Sequence, residues 1–322
     1  MLRAWLLAAL VFAPLGRAFA EGEAPPPPPP QEPVKVQERR LGDSAPALKV
    51  QAWVRGEAVD LKAGEGKTVF VIDFWGSWIP PCRETVPFLD GLQARCAEKG
   101  VIVVGLSVEE APKVETFLKK LDAQPAYRIA VDPSGETRIA YMAGFGVTDI
   151  PHSFVVDRKG KVVWHGHPLD GLEEALGKIL DGSYDLDAAK KLDDTRRLIP
   201  EYFEAAQAED GAERAARLGQ KIFDGLAGDP KLLSRFAYAI LFNQKTARPD
   251  KDLAMKAAQT AYEKTGGKML ATQLAYARAL FAIGKFDEAV RVQEEAVATA
   301  PAGRPREQMQ QILEDYKKQA GK

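Results

Sequence analysis

Two side chains in the first third of the chain could carry redox or acid–base chemistry: the thiol of Cys82 and the carboxyl group of Asp73. Residues 69–82 read VFVIDFWGSWIPPC, which is an apolar strand, an aromatic-rich turn, and a Pro-Pro-Cys sequence that opens a helix. A thiol in the first helical turn meets unpaired backbone N–H groups and the positive end of the helix dipole, which favour the thiolate. A carboxyl group at the end of an apolar strand is costly to bury unless another group uses it. This strand–helix junction is therefore the candidate site.

The cysteine count limits what that thiol can do. The chain of 322 residues contains two cysteines, Cys82 and Cys96. If one helix carries both, their separation of fourteen positions corresponds to about 21 Å. A disulfide needs Cα atoms within about 7 Å, so we expect the two thiols not to pair. Cys96 is interpreted as a semi-buried helix residue without a functional role.

The three histidines, His152, His165 and His167, were the other candidates for chemistry. His165 and His167 lie two positions apart near the end of a predicted strand and could share one face of it. Because no cysteine or carboxylate partner is evident beside them, we predict no metal site and no cofactor. The histidines are interpreted as residues of an edge strand.

The segment 69–82 resembles the active-site segment of thioredoxin-like proteins, specifically the TlpA-type thiol-disulfide oxidoreductases of the redoxin group, whose turn reads Trp-Cys-Pro-Pro-Cys. In this sequence the first cysteine position is occupied by Ile79. The residues that match the family's turn are Trp75, Trp78, Pro80, Pro81 and Cys82. The resemblance implies that the exposed attacking thiol is absent. It also implies that Cys82 takes the place of the family's shielded second cysteine.

The resemblance extends to two further features. Asp73 stands at the position of the family's buried acid, which helps to move a proton to or from the buried thiol. A structural role for Asp73, as an acceptor for the turn backbone, stays open. Residues 146–151 read GVTDIP and match the loop that holds the family's cis-proline. The resemblance implies that Ile150 and Pro151 present backbone to an extended substrate peptide.

Strand-like and helical segments alternate over residues 41–182, which predicts an α/β thioredoxin-like domain with a mixed sheet covered by helices. The predicted strands are 69–74, 101–107, 153–157 and 161–165. The predicted helices are 81–99, 111–121 and 169–180.

Residues 183–322 contain no strand-like run and predict an all-α domain. Breaks between its helices are expected at Pro200, 228–230, Pro249, 266–267 and Pro301. Two pairs of segments repeat within this region. FAYAI at 236–240 matches LAYAR at 274–278, and DLAMK at 252–256 matches DEAVR at 287–291.

These offsets, 38 and 35 residues, resemble the period of tetratricopeptide repeats, which are pairs of helices. The second copy carries the better match, with small residues at Gly284, Ala289 and Ala296, whereas Gln293 stands where an aromatic is usual. The resemblance covers about residues 231–300, and a plain helical bundle stays open as the alternative.

The first twenty residues predict a signal peptide with a positive start, a short apolar stretch and cleavage after Ala20. Residues 21–40 contain six consecutive prolines and predict a proline-rich linker. We therefore expect a periplasmic or secreted protein, with a retained membrane anchor as the alternative. Because 44 basic residues balance 45 acidic ones, no nucleic-acid partner is expected. No membrane span is expected after cleavage.

Together these features predict a non-catalytic or redox-impaired module that binds extended peptide or protein partners, with the repeat helices as a further binding surface. Two alternatives stay open: a single-thiol oxidoreductase that acts through Cys82, and a structural scaffold. Whether the protein is an enzyme is not settled by the residues, since the family is one of oxidoreductases but its attacking cysteine is missing.

Overall fold

The computed structural model describes residues 36–121, 123–243, 246 and 249–321. The predicted signal peptide, 1–20, and most of the predicted linker, 21–40, lie outside the described residues. In the part of the chain that is described, every helix is too short or too polar to cross a membrane.

One mixed six-stranded sheet is present among the described residues, with the strand order β1-β4-β3-β2-β5-β6. Its strands are β1 (Ala52–Arg55), β2 (Val69–Phe74), β3 (Val101–Ser107), β4 (Arg128–Val131), β5 (His152–Val156) and β6 (Val162–Gly166). The central strands β2, β3 and β4 are parallel, whereas β1, β5 and β6 pair antiparallel with their neighbours. The predicted mixed sheet is therefore confirmed.

Helices alternate with the strands in the sheet region, and only helices follow that region to the end of the described chain. Those of the sheet region are α1 (Pro80–Cys96), α2 (Ala111–Leu118), α3 (Glu136–Arg138) and α4 (Leu172–Asp181). Those that follow are α5 (Leu186–Gln207), α6 (Ala212–Leu226), α7 (Pro230–Phe242), α8 (Lys251–Lys264), α9 (Leu270–Ala282), α10 (Phe286–Thr299) and α11 (Arg304–Gln319). A 3-10 turn, Ala97–Lys99, extends α1, and a π-helical turn, Ile139–Ala143, follows α3.

The sheet has an apolar core on each face. One core includes Leu89 and Leu92 of α1 and Leu172 of α4, packed on β2 and β3. The other includes Phe74, Tyr141 and Phe154, whose rings contact one another. Strand β2 is buried along its whole length, which explains its nearly continuous apolar sequence. Asp73 is the one charged residue in it.

Helix α5 connects the sheet to the helical region. Asp185 caps its first turn by accepting a hydrogen bond from the N–H of Ala188. Leu186 and Ala189 pack against the core of the sheet region. The sequence assigned α5 to the helical domain, yet two of its residues pack against the sheet region. The domain boundary at residue 182 therefore stays a prediction.

The expected break at Pro200 was wrong, because α5 continues through it to Gln207. A proline inside a helix removes one N–H donor and disfavours the preceding turn. Here the last turn of α5 buries Tyr202 and Ala205 in the core of the helical region. That packing outweighs the local preference of the proline. Strands β1 and β4 were missed because each has only four residues and no clear alternation.

Candidate functional site

The turn between β2 and α1 contains the residues that the sequence singled out. Pro80 and Pro81 begin α1, where a missing N–H costs nothing because it has no helical acceptor. Ile79 is the residue before the helix; it provides no side-chain cap and packs partly against the core. Trp78 is 48% exposed, whereas Trp75 is buried. The turn therefore presents apolar side chains at its surface.

Cys82 lies under this turn and is only 1% exposed. Burial raises the pKa of its thiol to about 11. A hydrogen bond from Gly76 works in the opposite direction, and the charges of Asp73 and Glu109 add to the rise. The favourable position at a helix start is thus outweighed by desolvation. Cys96, at the other end of α1, is also buried, and both thiols are free.

Asp73 is buried in β2 and accepts a hydrogen bond of 2.6 Å from the hydroxyl group of Ser153. The register of the sheet brings them together, because Asp73 pairs with Ser153 across β2 and β5. Burial raises the pKa of Asp73 to about 7, although the Ser153 hydrogen bond lowers it in part. The carboxyl group is therefore poised to take or release a proton near neutral pH. Its partner is a hydroxyl group of β5 and not the turn backbone, so the structural reading of Asp73 was wrong in that respect.

Sequence reasoning missed Glu109, which holds the turn from the neighbouring strand. Its Oε2 accepts the Ser77 N–H at 2.7 Å, and its Oε1 accepts the Ser77 hydroxyl at 2.7 Å. Lys113 forms an ion pair with it at 2.9 Å. Burial alone would raise the pKa of Glu109, but the Ser77 and Lys113 contacts hold it below its usual value. A carboxylate directly after a buried parallel strand was the available signal, since such strand ends meet at one edge of the sheet.

The Ile150–Pro151 loop lies beside this turn. Phe74, the last residue of β2, pairs with His152 of β5, so the loop before β5 and the turn after β2 meet at one edge of the sheet. The Ile150–Pro151 peptide bond is cis. Pro151 is buried, whereas Ile150 is half-buried and contacts both cores. The structure therefore places the Ile150–Pro151 loop at the same edge of the sheet as the turn, and Ile150 and Ile79 pack against one core.

A second polar cluster, His152, His165, Asp193 and Arg197, lies behind the loop. His165 Nε2–H donates to Asp193 Oδ1 at 2.9 Å, and His165 Nδ1 lies 3.0 Å from His152 Nε2. Arg197 Nε donates to Asp193 Oδ2 at 3.1 Å. Because a carboxylate only accepts, His165 Nε2 carries a proton, and in the neutral form of that ring Nδ1 accepts from His152 Nε2–H. The hydrogen bonds form one chain from β5 through β6 to α5.

This cluster corrects the expectation that the histidines lack a carboxylate partner. Asp193 is supplied by α5, 28 residues from His165, and no local sequence pattern links them. Burial and the neighbouring positive groups lower the pKa of His152 to about 3. Burial would raise the pKa of Asp193, but the hydrogen bonds and charges of His165 and Arg197 lower it overall. Among the residues described, no group of three or more acidic, cysteine or histidine side chains is arranged to hold a metal ion.

A mixed sheet of this order, with a strand–turn–helix site beside an Ile-Pro loop, defines a thioredoxin-like domain. Residues 40–175 match the family described as Redoxin. The thiol-disulfide oxidoreductase ResA of Bacillus thuringiensis is 34% identical over 149 residues, which cover 45% of this chain and 82% of that protein. The thiol:disulfide interchange protein HelX of Rhodobacter capsulatus is 29% identical, over 45% of this chain and 79% of that one.

Among solved structures, a thiol-disulfide isomerase from Corynebacterium glutamicum is 26% identical and matches 42% of this chain and 96% of its own, with a TM-score of 0.36. The chain belongs to the redoxin family of thioredoxin-like thiol-disulfide oxidoreductases. The family match, residues 40–175, ends within α4.

Proposed function

We propose that this protein is a thioredoxin-like module without dithiol chemistry, which binds extended segments of peptides or proteins beside the turn. Ile79 stands in for the family's attacking cysteine. The observation that carries the proposal is the state of Cys82, which is buried and has no second thiol within reach. A disulfide cycle needs two sulfur atoms that can approach each other, and the helix keeps Cys82 and Cys96 at its opposite ends.

The alternative of a single reactive thiol receives less support. With a pKa of about 11, only about one Cys82 in ten thousand would be a thiolate at neutral pH. The thiolate is the nucleophile in disulfide exchange. Its sulfur would also have to be reached through the packed turn, where Trp75 and Val86 belong to the same core.

The binding role is supported by the surface beside the thiol. The N–H and C=O of Ile150 form no hydrogen bond with any of the described residues. An extended peptide could pair with these groups as an added strand does with a sheet edge. The turn at the same edge of the sheet would offer apolar contact through Trp78, which is exposed, and Ile79, which is half-buried. This geometry needs no cysteine.

The helical region is proposed as a tetratricopeptide-like partner surface. Ala289 and Ala296 are fully buried, and Gly284 has a positive φ of 83° between α9 and α10, as close packing of a helix pair requires. Gln293 is buried and donates to the carbonyl of Met309 on α11. Tyr238 and Phe242 are both exposed and stack on each other. Exposed aromatic pairs of this kind favour a role in protein contacts.

The location is proposed from the N-terminal sequence. A signal peptide of residues 1–20, cleaved after Ala20, would export the protein to the periplasm or beyond. The proline-rich segment that follows, residues 21–40, is proposed as a linker on the basis of its sequence.

The test of the proposal is the reactivity of Cys82 in the native protein. Cys96→Ser leaves Cys82 as the sole thiol, and Cys82→Ser is the matched control that reports on Cys96. We expect the native Cys96→Ser protein to react with dithionitrobenzoate at least about a thousand times more slowly than in urea, because the thiol is buried and protonated. Fast native labelling with an apparent pKa below about 8 would favour the single-thiol alternative.

A further inference from the structure

A cavity of about 400 Å³ lies between the edge of the sheet and the first helices of the helical region. It is separate from the Cys82 turn: β5 and β6 form one wall, and α5, α6 and α7 form the other. Binding sites for small molecules span about 300 to 1,000 Å³ and are mostly apolar with a few converging polar groups. The cavity has both the size and the composition of such a site.

Most of its wall is apolar. Trp164 of β6, Ile199 of α5, Leu226 of α6, and Leu232 and Phe236 of α7 line it. Four elements thus converge on one apolar space, although their residues span more than seventy positions of the chain. An unbranched or aromatic apolar group would displace water from this wall with a gain of about 25 cal/mol for each Å² buried.

The polar groups of the cavity favour an anion. Asp170, the acidic residue in the wall, accepts from both Lys231 and Arg235, so its negative charge is more than balanced. Arg196 also lines the cavity and is half-buried. No acceptor for its guanidinium group is found among the described residues. A half-buried guanidinium group without a partner is a site for a carboxylate, which it can bind through two parallel hydrogen bonds.

Three imidazoles line the wall; His167 accepts the Leu169 N–H on Nδ1, and the other two do not compete for that role. His165 uses both ring nitrogens within the chain that ends at Asp193. Burial, together with the positive groups around it, lowers the pKa of His152 to about 3, so it is neutral at physiological pH. The cavity therefore carries a net positive charge, from Arg196 and from the two cations that surround the single carboxylate of Asp170. Because Arg196 is the cation of the wall without an acceptor among the described residues, a carboxylate with an apolar body suits this cavity.

We propose that this cavity is a binding site for a small amphiphilic carboxylic acid, with its carboxylate on Arg196 and its apolar body between Leu232 and Phe236. Its lining includes neither the Cys82 turn nor Ile150 and Pro151, where peptide binding is proposed. It joins the sheet to α5 and α7, so a bound ligand would contact both regions of the chain.

The experiment is isothermal titration calorimetry of the whole protein with octanoate, and with octan-1-ol as an uncharged probe of the same chain length. We expect the protein to bind octanoate more tightly than octan-1-ol. Arg196→Gln should weaken octanoate binding about tenfold, the effect of losing one charge-assisted contact, and leave octan-1-ol binding unchanged. The matched control is Arg217→Gln, which changes an exposed arginine of α6 outside the cavity and should alter neither.

A second variant tests the location of the site. Ala239 of α7 lines the cavity, so Ala239→Phe should fill it and abolish binding of both probes. If Ala239→Phe does not fold, the comparison of Arg196→Gln with Arg217→Gln decides the question. The absence of octanoate binding, or binding of equal strength in the Arg196→Gln variant and the wild type, would overturn the proposal.

Discussion

Two buried aspartates in this protein have pKa values that are shifted in opposite directions. Asp73, in the centre of the sheet, has one hydroxyl partner, and its burial raises its pKa to about 7. Asp193, on α5, is buried as well, yet its pKa lies below the usual value because His165 and Arg197 donate to it. The difference shows that burial alone does not decide the charge of a carboxyl group; the cations around it do.

The comparison also separates two uses of a buried carboxyl group. Asp73 can exchange a proton near neutral pH, which suits the chemistry of the thiol that its family places above it. Asp193 keeps its charge and ties α5 to β6 through His165. The proton-exchanging group is thus retained beside a thiol that no longer has a partner.

The largest effect is expected from restoring that partner. Ile79→Cys places a second thiol at the start of α1, three positions before Cys82, where the more exposed thiol gains most from the helix dipole. We expect the variant to form an internal disulfide and to accelerate the reduction of insulin by dithiothreitol, whereas the wild type should not reduce insulin beyond the rate of dithiothreitol alone. Mass spectrometry of alkylated protein would detect the disulfide.

Ile79→Ser is the matched control, since it removes the same branched side chain without adding a thiol. It should have no activity. Reduction of insulin by the wild type would show that Cys82 acts alone, and an Ile79→Cys protein that folds without forming the disulfide would limit the family resemblance to the fold.

The raised pKa of Asp73 predicts a pH dependence of stability. The folded protein holds this proton up to about pH 7, whereas an unfolded aspartate releases it near pH 3.9. The folded state therefore binds more protons in between, so the contribution of Asp73 falls as the pH rises from about 4 to 7. An asparagine does not ionise, so Asp73→Asn should remove this pH-dependent loss of stability, which is on the order of 4 kcal/mol at pH 7.

Urea denaturation of wild type and Asp73→Asn at several pH values would measure this contribution to the free energy of unfolding. The exposed Asp149→Asn serves as the control and should change the free energy of unfolding by less than about 0.5 kcal/mol. Parallel stability curves for wild type and Asp73→Asn between pH 4 and 7 would contradict the assignment of a raised pKa to this residue.

A somewhat smaller effect, in this case a loss of stability, is expected when Asp193 is replaced. Asp193→Asn removes the buried charged partner of Arg197, whose side chain is 17% exposed, and leaves it only the exposed carboxylate of Glu38, at 3.8 Å, as an ion-pair partner. Removing one partner of a buried ion pair costs about 3 kcal/mol. The neighbouring residue provides the control, since Asp194 is 65% exposed in its pair with Arg40 and Asp194→Asn should cost at most about 1 kcal/mol. Equal effects of the two substitutions on the free energy of unfolding would refute the proposed role of the cluster.

The lowered pKa of Asp193 also predicts how its contribution to stability changes with pH. A carboxyl group whose folded pKa is lowered stabilises the protein above its unfolded value, near 3.9, and loses that contribution as the pH falls through the folded value. The difference between wild type and Asp193→Asn should therefore be constant above about pH 5 and shrink below pH 4.

Local sequence patterns determined a large part of this protein. Strands 69–74 and 101–107 were predicted with their observed bounds, because a buried parallel strand is a continuous apolar run between turn residues. The start of α1 was predicted from the proline pair at residue 81, one position after the observed start at Pro80. The count and spacing of the cysteines also predicted two thiols that do not pair.

Only the tertiary structure decided which polar groups meet. Glu109 contacts Ser77 from a neighbouring strand, Asp73 finds its donor in Ser153, and Asp193 reaches His165 from a helix beyond the sheet. Periodicity and turn chemistry describe neighbours within about one or two turns of chain, whereas these partners are 28 to 80 positions apart. Their contacts, and hence the charges of the buried carboxyl groups, exist only after the sheet and α5 have packed together.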